Sequence, residues 1–294
     1  MGEQETASSS HQGVARVSLD AAKRLRGADV TAIAAETAYY AILAIAPFLI
    51  FLIAGLALIS QSFQLGIVDD FQSIVQRMAP GGTGDLLEPL FDEAGDRASQ
   101  GTASLGMLTA FLIAIWSGSR AIGALLKGFG RIARDASPPP ALFGRLMSLF
   151  LAIVMGVVVI LSFTVLLFGG AVARAIAEWL GLGGTFSTLW LVISWPLVAL
   201  IVALVIAILF RFGKAANGYL SPGVVVATAL WFLIMIGIRI YLAIIDPASI
   251  FGALGSFIVL VVFFFIMSLA LLIGAAVNAV LRVPEPQAGE SGSD

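Results

Sequence analysis

A chain of 294 residues that is 60 % hydrophobic and only 12 % charged, with a mean hydropathy of +1.03, lacks the polar residues to cover a water-soluble surface of its size. Its main solvent is therefore lipid, and the positions of its charges matter more than their net of -2. The absence of cysteine excludes disulfides, iron–sulfur clusters, thiolate zinc and a cysteine nucleophile. The single histidine, His11, lies in a tail rich in Gly, Ser, Gln and Thr, so no histidine-based metal or catalytic site is expected, and no cofactor.

In chain order, residues 1–13 read as a disordered tail. Residues 14–37 alternate basic and apolar positions: Val17, Ala21, Arg24, Leu25 and Ala28 share a helical stripe, with Lys23 and Arg26 beside it. This predicts an amphipathic helix on the cytoplasmic membrane surface, its cations near anionic headgroups. Gly27 and Asp29 predict a break and cap before the first span. That apolar run starts near residue 38 and is too long for the h-region of a signal peptide.

Six runs approach or exceed the roughly 20 residues a helix needs to cross the hydrocarbon: Ala38–Ile59, Thr102–Ala121, Leu146–Ala171, Leu189–Phe210, Gly223–Ile245 and Gly252–Val280. The expected fold is an all-α integral membrane protein, with a six-helix domain over residues 38–281. The second run is the weakest, interrupted by SGSR, and the sixth is the longest. Between the first two, residues 60–101 hold amphipathic stretches on either side of APGGTG, which predicts a helical hairpin outside the membrane. It carries seven acids and two bases and reads as an acidic cap or as a gate over a vestibule. Residues 282–294 read as a second disordered tail.

Lysine and arginine orient the set. With the N-terminus cytoplasmic, that side carries Arg16, Lys23, Arg24, Arg26, Arg120, Lys127, Arg131, Arg134, Arg145, Arg211, Lys214 and Arg282, against Arg77, Arg97 and Arg174 on the other. The bias predicts that both termini are cytoplasmic.

Ionisable groups within spans are costly and usually face a cavity or one another. Arg239 lies deep in the fifth span, either snorkelling toward Asp246 or lining a cavity. Glu36 opens the first span and Arg120 closes the second, and the two are expected to pair. Pro47 and Pro196 each free a helix carbonyl, and unwound backbone in a membrane is tolerated where it lines a cavity. The first two spans are therefore read as broken around a cavity, the alternative being prolines that kink a helix for packing alone. Ala270, Gly274 and Asn278 recur every four residues, a face that lets another helix approach and offers it an amide.

Taken together, these stretches resemble the YihY/virulence factor BrkB family of bacterial inner-membrane proteins, from about Arg24 to Leu281. The carrying residues are Ala38, Tyr39, Tyr40 and Pro47 in the first span, then Trp116, Ser117, Ser119 and Arg120 before a basic segment. Pro222, Gly223, Trp231, Tyr241, Gly252, Gly255, Gly274 and Asn278 complete the pattern. The family usually has a glutamate where this chain has Ala276 and an aromatic hydroxyl where it has Phe251. Glu36 is then the candidate to supply the missing charge for coupling.

The resemblance implies a permease, exporter or lipid translocase of unknown substrate in the cytoplasmic (inner) membrane. Its partners would be membrane lipids, an anionic lipid or small solute and, for so small a bundle, a second copy of the chain. The expected path residues are Tyr39, Tyr40, Pro47, Trp116, Ser117, Ser119, Arg120, Arg239, Tyr241 and Asn278. A cavity framed by spans one, two, five and six would hold them. A non-transporting scaffold for envelope assembly is the alternative. The family also carries an older ribonuclease label, but a nuclease needs acid–base groups or metal-binding carboxylates, and here the acids cluster in the loop 60–101. No enzymatic activity and no nucleic-acid partner are expected.

Overall fold

The computed structural model describes residues 17–63, Pro89, 103–133, 140–179, 185–216, 218–219, 221–245 and 253–281. Both expected tails, His11, Asp246 and nearly all of the expected hairpin over 60–101 lie outside these residues. Helix α1 covers 17–27. It is followed by α2 (Val30–Phe63), α3 (Ala103–Ala133), α4 (Ala141–Trp179), α5 (Thr185–Phe212), α6 (Pro222–Ile244) and α7 (Ala253–Leu281). Among the described residues there is no strand. Five helices, α2, α3, α4, α6 and α7, are long and apolar enough to cross a membrane, and α5 adds the apolar stretch Val198–Phe212. The chain is an all-α membrane protein.

The break expected at Gly27 and Asp29 falls at residues 28–29, where Asp29 takes φ 52°, a left-handed conformation that Asp tolerates better than most residues. One helix then runs from Val30 to Phe63. Residues 30–37, read with the amphipathic segment, thus belong to the helix of the first span. The expected interruptions of the first two spans are absent. Helix α2 continues through Pro47, which removes a single backbone donor. Helix α3 continues through SGSR to Ala133, a dozen residues beyond the expected end of that span. There Gly118 faces Ala152 of α4, and a Cβ on it would lie 3.9 Å away.

Helices α2 and α3 run antiparallel and pack along their length, from Glu36 beside Lys127 to Phe51 against Phe111, whose ring centroids are 4.9 Å apart. The main core lies at one end of the bundle, which also carries most of the described cations. Phe129 of α3 meets Phe210 of α5 edge-on at 5.3 Å. Ile33, Leu125, Ile132, Leu151 and Leu272 close around them. Helix α1 belongs to this core: Ala21 and Ala28 are buried in it, and Arg24 Nη1 donates to the Ile132 carbonyl at 3.1 Å. That carbonyl lies in the last turn of α3, where backbone acceptors lack helical partners and a cation is favoured. The amphipathic segment is therefore docked on the bundle by its apolar face, while Lys23 and Arg26 stay exposed.

Glycine sets the closest helix contacts. A Cβ on Gly128 would stand 2.7 Å from Leu272 Cδ2 and 3.0 Å from Ile33 Cγ2, so α3 is pressed between α2 and α7. Gly223 of α6 lies directly on the Gly274 carbonyl of α7. A Cβ on Gly274 would in turn come within 2.6 Å of the Gly223 carbonyl oxygen. This is the small-residue packing expected between membrane helices.

Candidate functional site

Helix α3 divides its residues between two faces. Ser117, Ala121, Ile122, Ala124, Leu125, Phe129 and Ile132 are buried in the bundle. Trp116, Arg120, Gly123, Lys127 and Arg131 follow one another at three- and four-residue steps on the other face, with Ser119 beside Arg120, so they form a single stripe. This stripe is one wall of a cavity of about 1030 Å³. The start of α4 (Leu142, Phe143, Arg145, Leu146, Leu149) forms the opposite wall, and Phe212, Gly213 and Lys214 at the end of α5 close it. Near its far end the helices meet closely, with a Cβ on Gly123 reaching Ser148 Oγ at 3.3 Å.

Five cations and one carboxylate line this space: Arg120, Lys127, Arg131, Arg145, Lys214 and Glu36. They are held differently. The Arg120 guanidinium carbon lies 5.2 Å from the centre of the Trp116 ring and 5.8 Å from that of Tyr40, a cation–π arrangement worth about 0.5–1 kcal/mol at exposed sites. Tyr39 packs edge-on against Tyr40 at 5.2 Å. Ser119 Oγ donates to the Trp116 carbonyl at 2.8 Å, which turns it back along its own helix.

The ion pair expected between Glu36 and Arg120 is replaced by one between Glu36 and Lys127, Nζ to Oε1 3.2 Å. Lys127 sits seven residues, about two turns, beyond Arg120 on the same stripe. It therefore reaches the first turns of α2, while Arg120 is level with Tyr40.

Lys214 takes φ 54° just after α5, where the Ala215 N–H donates to the Phe210 carbonyl at 2.8 Å. A left-handed residue at this place in a helix stop is usually glycine. Here Gly213 is needed one position earlier, because a Cβ on it would stand 2.5 Å from Phe129 Cδ2. The lysine accepts the strained conformation and lines the cavity.

The remaining path candidates divide between other places. Ser117 is buried on the bundle side of α3. Pro47 is half-buried in mid α2. Arg239 and Tyr241 are exposed near the opposite end of α6 and do not line the cavity. Asn278 serves a different purpose. It is buried, its Oδ1 accepts the Gly223 N–H at 2.6 Å, and its Nδ2 donates to Ser221 Oγ at 2.9 Å. Ser221 is the N-cap of α6 but makes no side-chain cap of its own. Asn278 of α7 supplies the missing acceptor from across the interface. Ala276, where the resembling family has its glutamate, is fully buried in the core, so an acid there would occupy a setting unlike that of Glu36. Of the frame expected from spans one, two, five and six, the cavity keeps span two as α3 and Glu36 at the start of span one, while α4 and the end of α5 stand where spans five and six were expected. Using the cations only to orient the spans missed their periodicity along α3, which was the available signal.

A multi-pass helical bundle with a basic, partly apolar cavity at one end defines a class of membrane protein, and the family is shown as well. Residues 21–293 match the model of the Virulence factor BrkB family, and the chain belongs to that family. It is also similar to the putative ribonuclease-like protein YfkH of Bacillus subtilis, with 26 % identity over 252 residues, covering 84 % of this chain and 88 % of that protein. No solved structure matches.

Proposed function

We propose that the chain is a transport protein of the bacterial cytoplasmic membrane, both termini cytoplasmic, which moves an anionic lipid or solute by way of the basic cavity. The observation that carries this reading is the cavity itself: five cations against one acid, on walls that also include Trp116, Leu142, Phe143, Leu146 and Phe212. The positive-inside bias would put cations at this end of any bundle, but a scaffold calls for a closed bundle, without so large a space among them. The orientation is supported by the lysine and arginine bias, which sets this cavity on the cytoplasmic side. Trp116, Ser119 and Arg120, the last backed by the Tyr40 ring, are assigned to its deeper end and Glu36 with Lys127 to its rim. Arg239 and Tyr241 are assigned no part in it. We assign no catalytic chemistry, cofactor or nucleic-acid partner, because the sole histidine is His11 and seven of the acids lie in 60–101.

The test is reconstitution of the full chain in vesicles with two readouts: leaflet exchange of a fluorescent anionic lipid, and efflux of a trapped organic phosphate. Either rate should rise above that of protein-free vesicles and fall in Arg120→Gln, while Arg239→Gln keeps it. If neither rate rises, and a cysteine at position 120 reacts with an impermeant maleimide from one side only, the scaffold reading replaces this one.

A further inference from the structure

We infer that the ligand of this cavity is a phospholipid with an anionic headgroup, entering sideways from the bilayer between α3 and α4, with its phosphate held by Arg131 and Arg145. The inference rests on the reading of the cavity as the working site and specifies what occupies it.

The cations are not equivalent. Lys127 is engaged by Glu36, and Arg120 is spread over two aromatic rings. Arg131 and Arg145 come from opposite walls, are both exposed, and have no acidic or carbonyl partner among the described residues. A guanidinium offers a planar fork of donors matched to phosphate oxygens, and two from facing helices can grip one phosphate from both sides.

The second observation is the apolar track leading out of the cavity. Leu142, Leu146, Phe150 and Ile153 lie on one stripe of α4 and are 71 %, 56 %, 52 % and 42 % exposed. From Leu142 to Ile153 the helix rises about 16 Å, close to half of the roughly 30 Å hydrocarbon thickness. The stripe is therefore about as long as one leaflet is deep, and its first two residues also line the cavity beside Arg145. A soluble phosphate would leave these side chains unused. An acyl chain lying along them while the headgroup meets the arginines satisfies both halves of the site.

The test uses the full chain in phosphatidylcholine vesicles doped with a trace of photoactivatable phosphatidylglycerol or, separately, photoactivatable phosphatidylcholine. With two arginines at about 1 kcal/mol each, the phosphatidylglycerol probe should cross-link about twentyfold more than the phosphatidylcholine probe, with the adducts on α4. At about 1 kcal/mol per basic residue near an anionic surface, neutralising each arginine should lower the yield about fivefold. Arg131→Gln/Arg145→Gln should then approach the phosphatidylcholine level. Arg131→Lys/Arg145→Lys should recover much of the loss, and Arg211→Gln, an exposed cation outside the cavity, should change nothing. Equal yields for the two probes, an undiminished double variant, or an equal loss in Arg211→Gln would each overturn the assignment. So would complete competition by millimolar glycerol 3-phosphate, which would make the ligand a soluble anion. Selective cross-linking in a protein that accelerates neither lipid exchange nor phosphate efflux would uphold this inference and remove the transport reading.

Discussion

Replacing Asn278 by Leu keeps most of its volume and deletes both of its hydrogen bonds to the start of α6. Pro222 has no N–H to cap and the Ser221 side chain forms no cap bond, so Gly223 loses its partner and is left as a buried, unpaired donor. An orphaned buried N–H costs about 1–3 kcal/mol. The lost bond to Ser221 adds about 0.6 kcal/mol, up to about 1.7, as measured between membrane helices. The expected destabilisation is about 2–4 kcal/mol, read as a shift in the unfolding midpoint when sodium dodecyl sulfate is titrated into the protein in mixed micelles. Ser221→Ala removes only the weaker bond and should cost about 1 kcal/mol or less. An Asn278→Leu variant within about 0.5 kcal/mol of the parent would refute the idea that α7 caps α6.

Three further outcomes are expected. Gly274→Ala places a Cβ 2.6 Å from the Gly223 carbonyl oxygen and 2.8 Å from Ala227 Cβ, so it should lower the midpoint by about 1–3 kcal/mol, whereas Gly237→Ala meets nothing within 4 Å and should be neutral or slightly stabilising. Glu36→Gln should change stability by less than about 1 kcal/mol, because the pair with Lys127 is exposed; it should raise binding of an anionic lipid probe, and Lys127→Gln should lower it. Arg24→Met removes the tie to the Ile132 carbonyl, so protease cleavage within 17–27 should speed up about five- to tenfold, matching the roughly 1–1.5 kcal/mol of a partly exposed charged hydrogen bond.

The apolar runs, the break near Asp29 and the small-residue face of α7 were legible in the sequence, because each follows from local periodicity or backbone tolerance. What one helix presents to another was less so. Asn278 read correctly as an amide offered across an interface, but its partner, a backbone N–H exposed by the Pro222 turn, is fixed only once Gly223 and Gly274 touch. Glu36 was matched to the nearer charge in a linear picture. In the bundle the rotation of α3 leaves Arg120 over Tyr40 and Trp116, and brings Lys127 to the carboxylate. Pro47 and the SGSR sequence were over-read as breaks, since a long helix absorbs one missing donor or a short run of small residues when its neighbours pack closely.

The long reach of the contacts at the basic end bears on how the chain is made. Arg24 binds a carbonyl at position 132, Ala21 and Ala28 are buried with residues as late as Ala279, and Gly223 waits for Asn278. None of these can form while the ribosome is still producing the first spans. Each helix must enter the membrane with its share of the basic end unsealed, and the first span packs fully only when the last helix has arrived. Truncation before α7 should therefore leave α2 and the start of α6 without their partners on that helix, so that the last helix made also completes the packing of the first span.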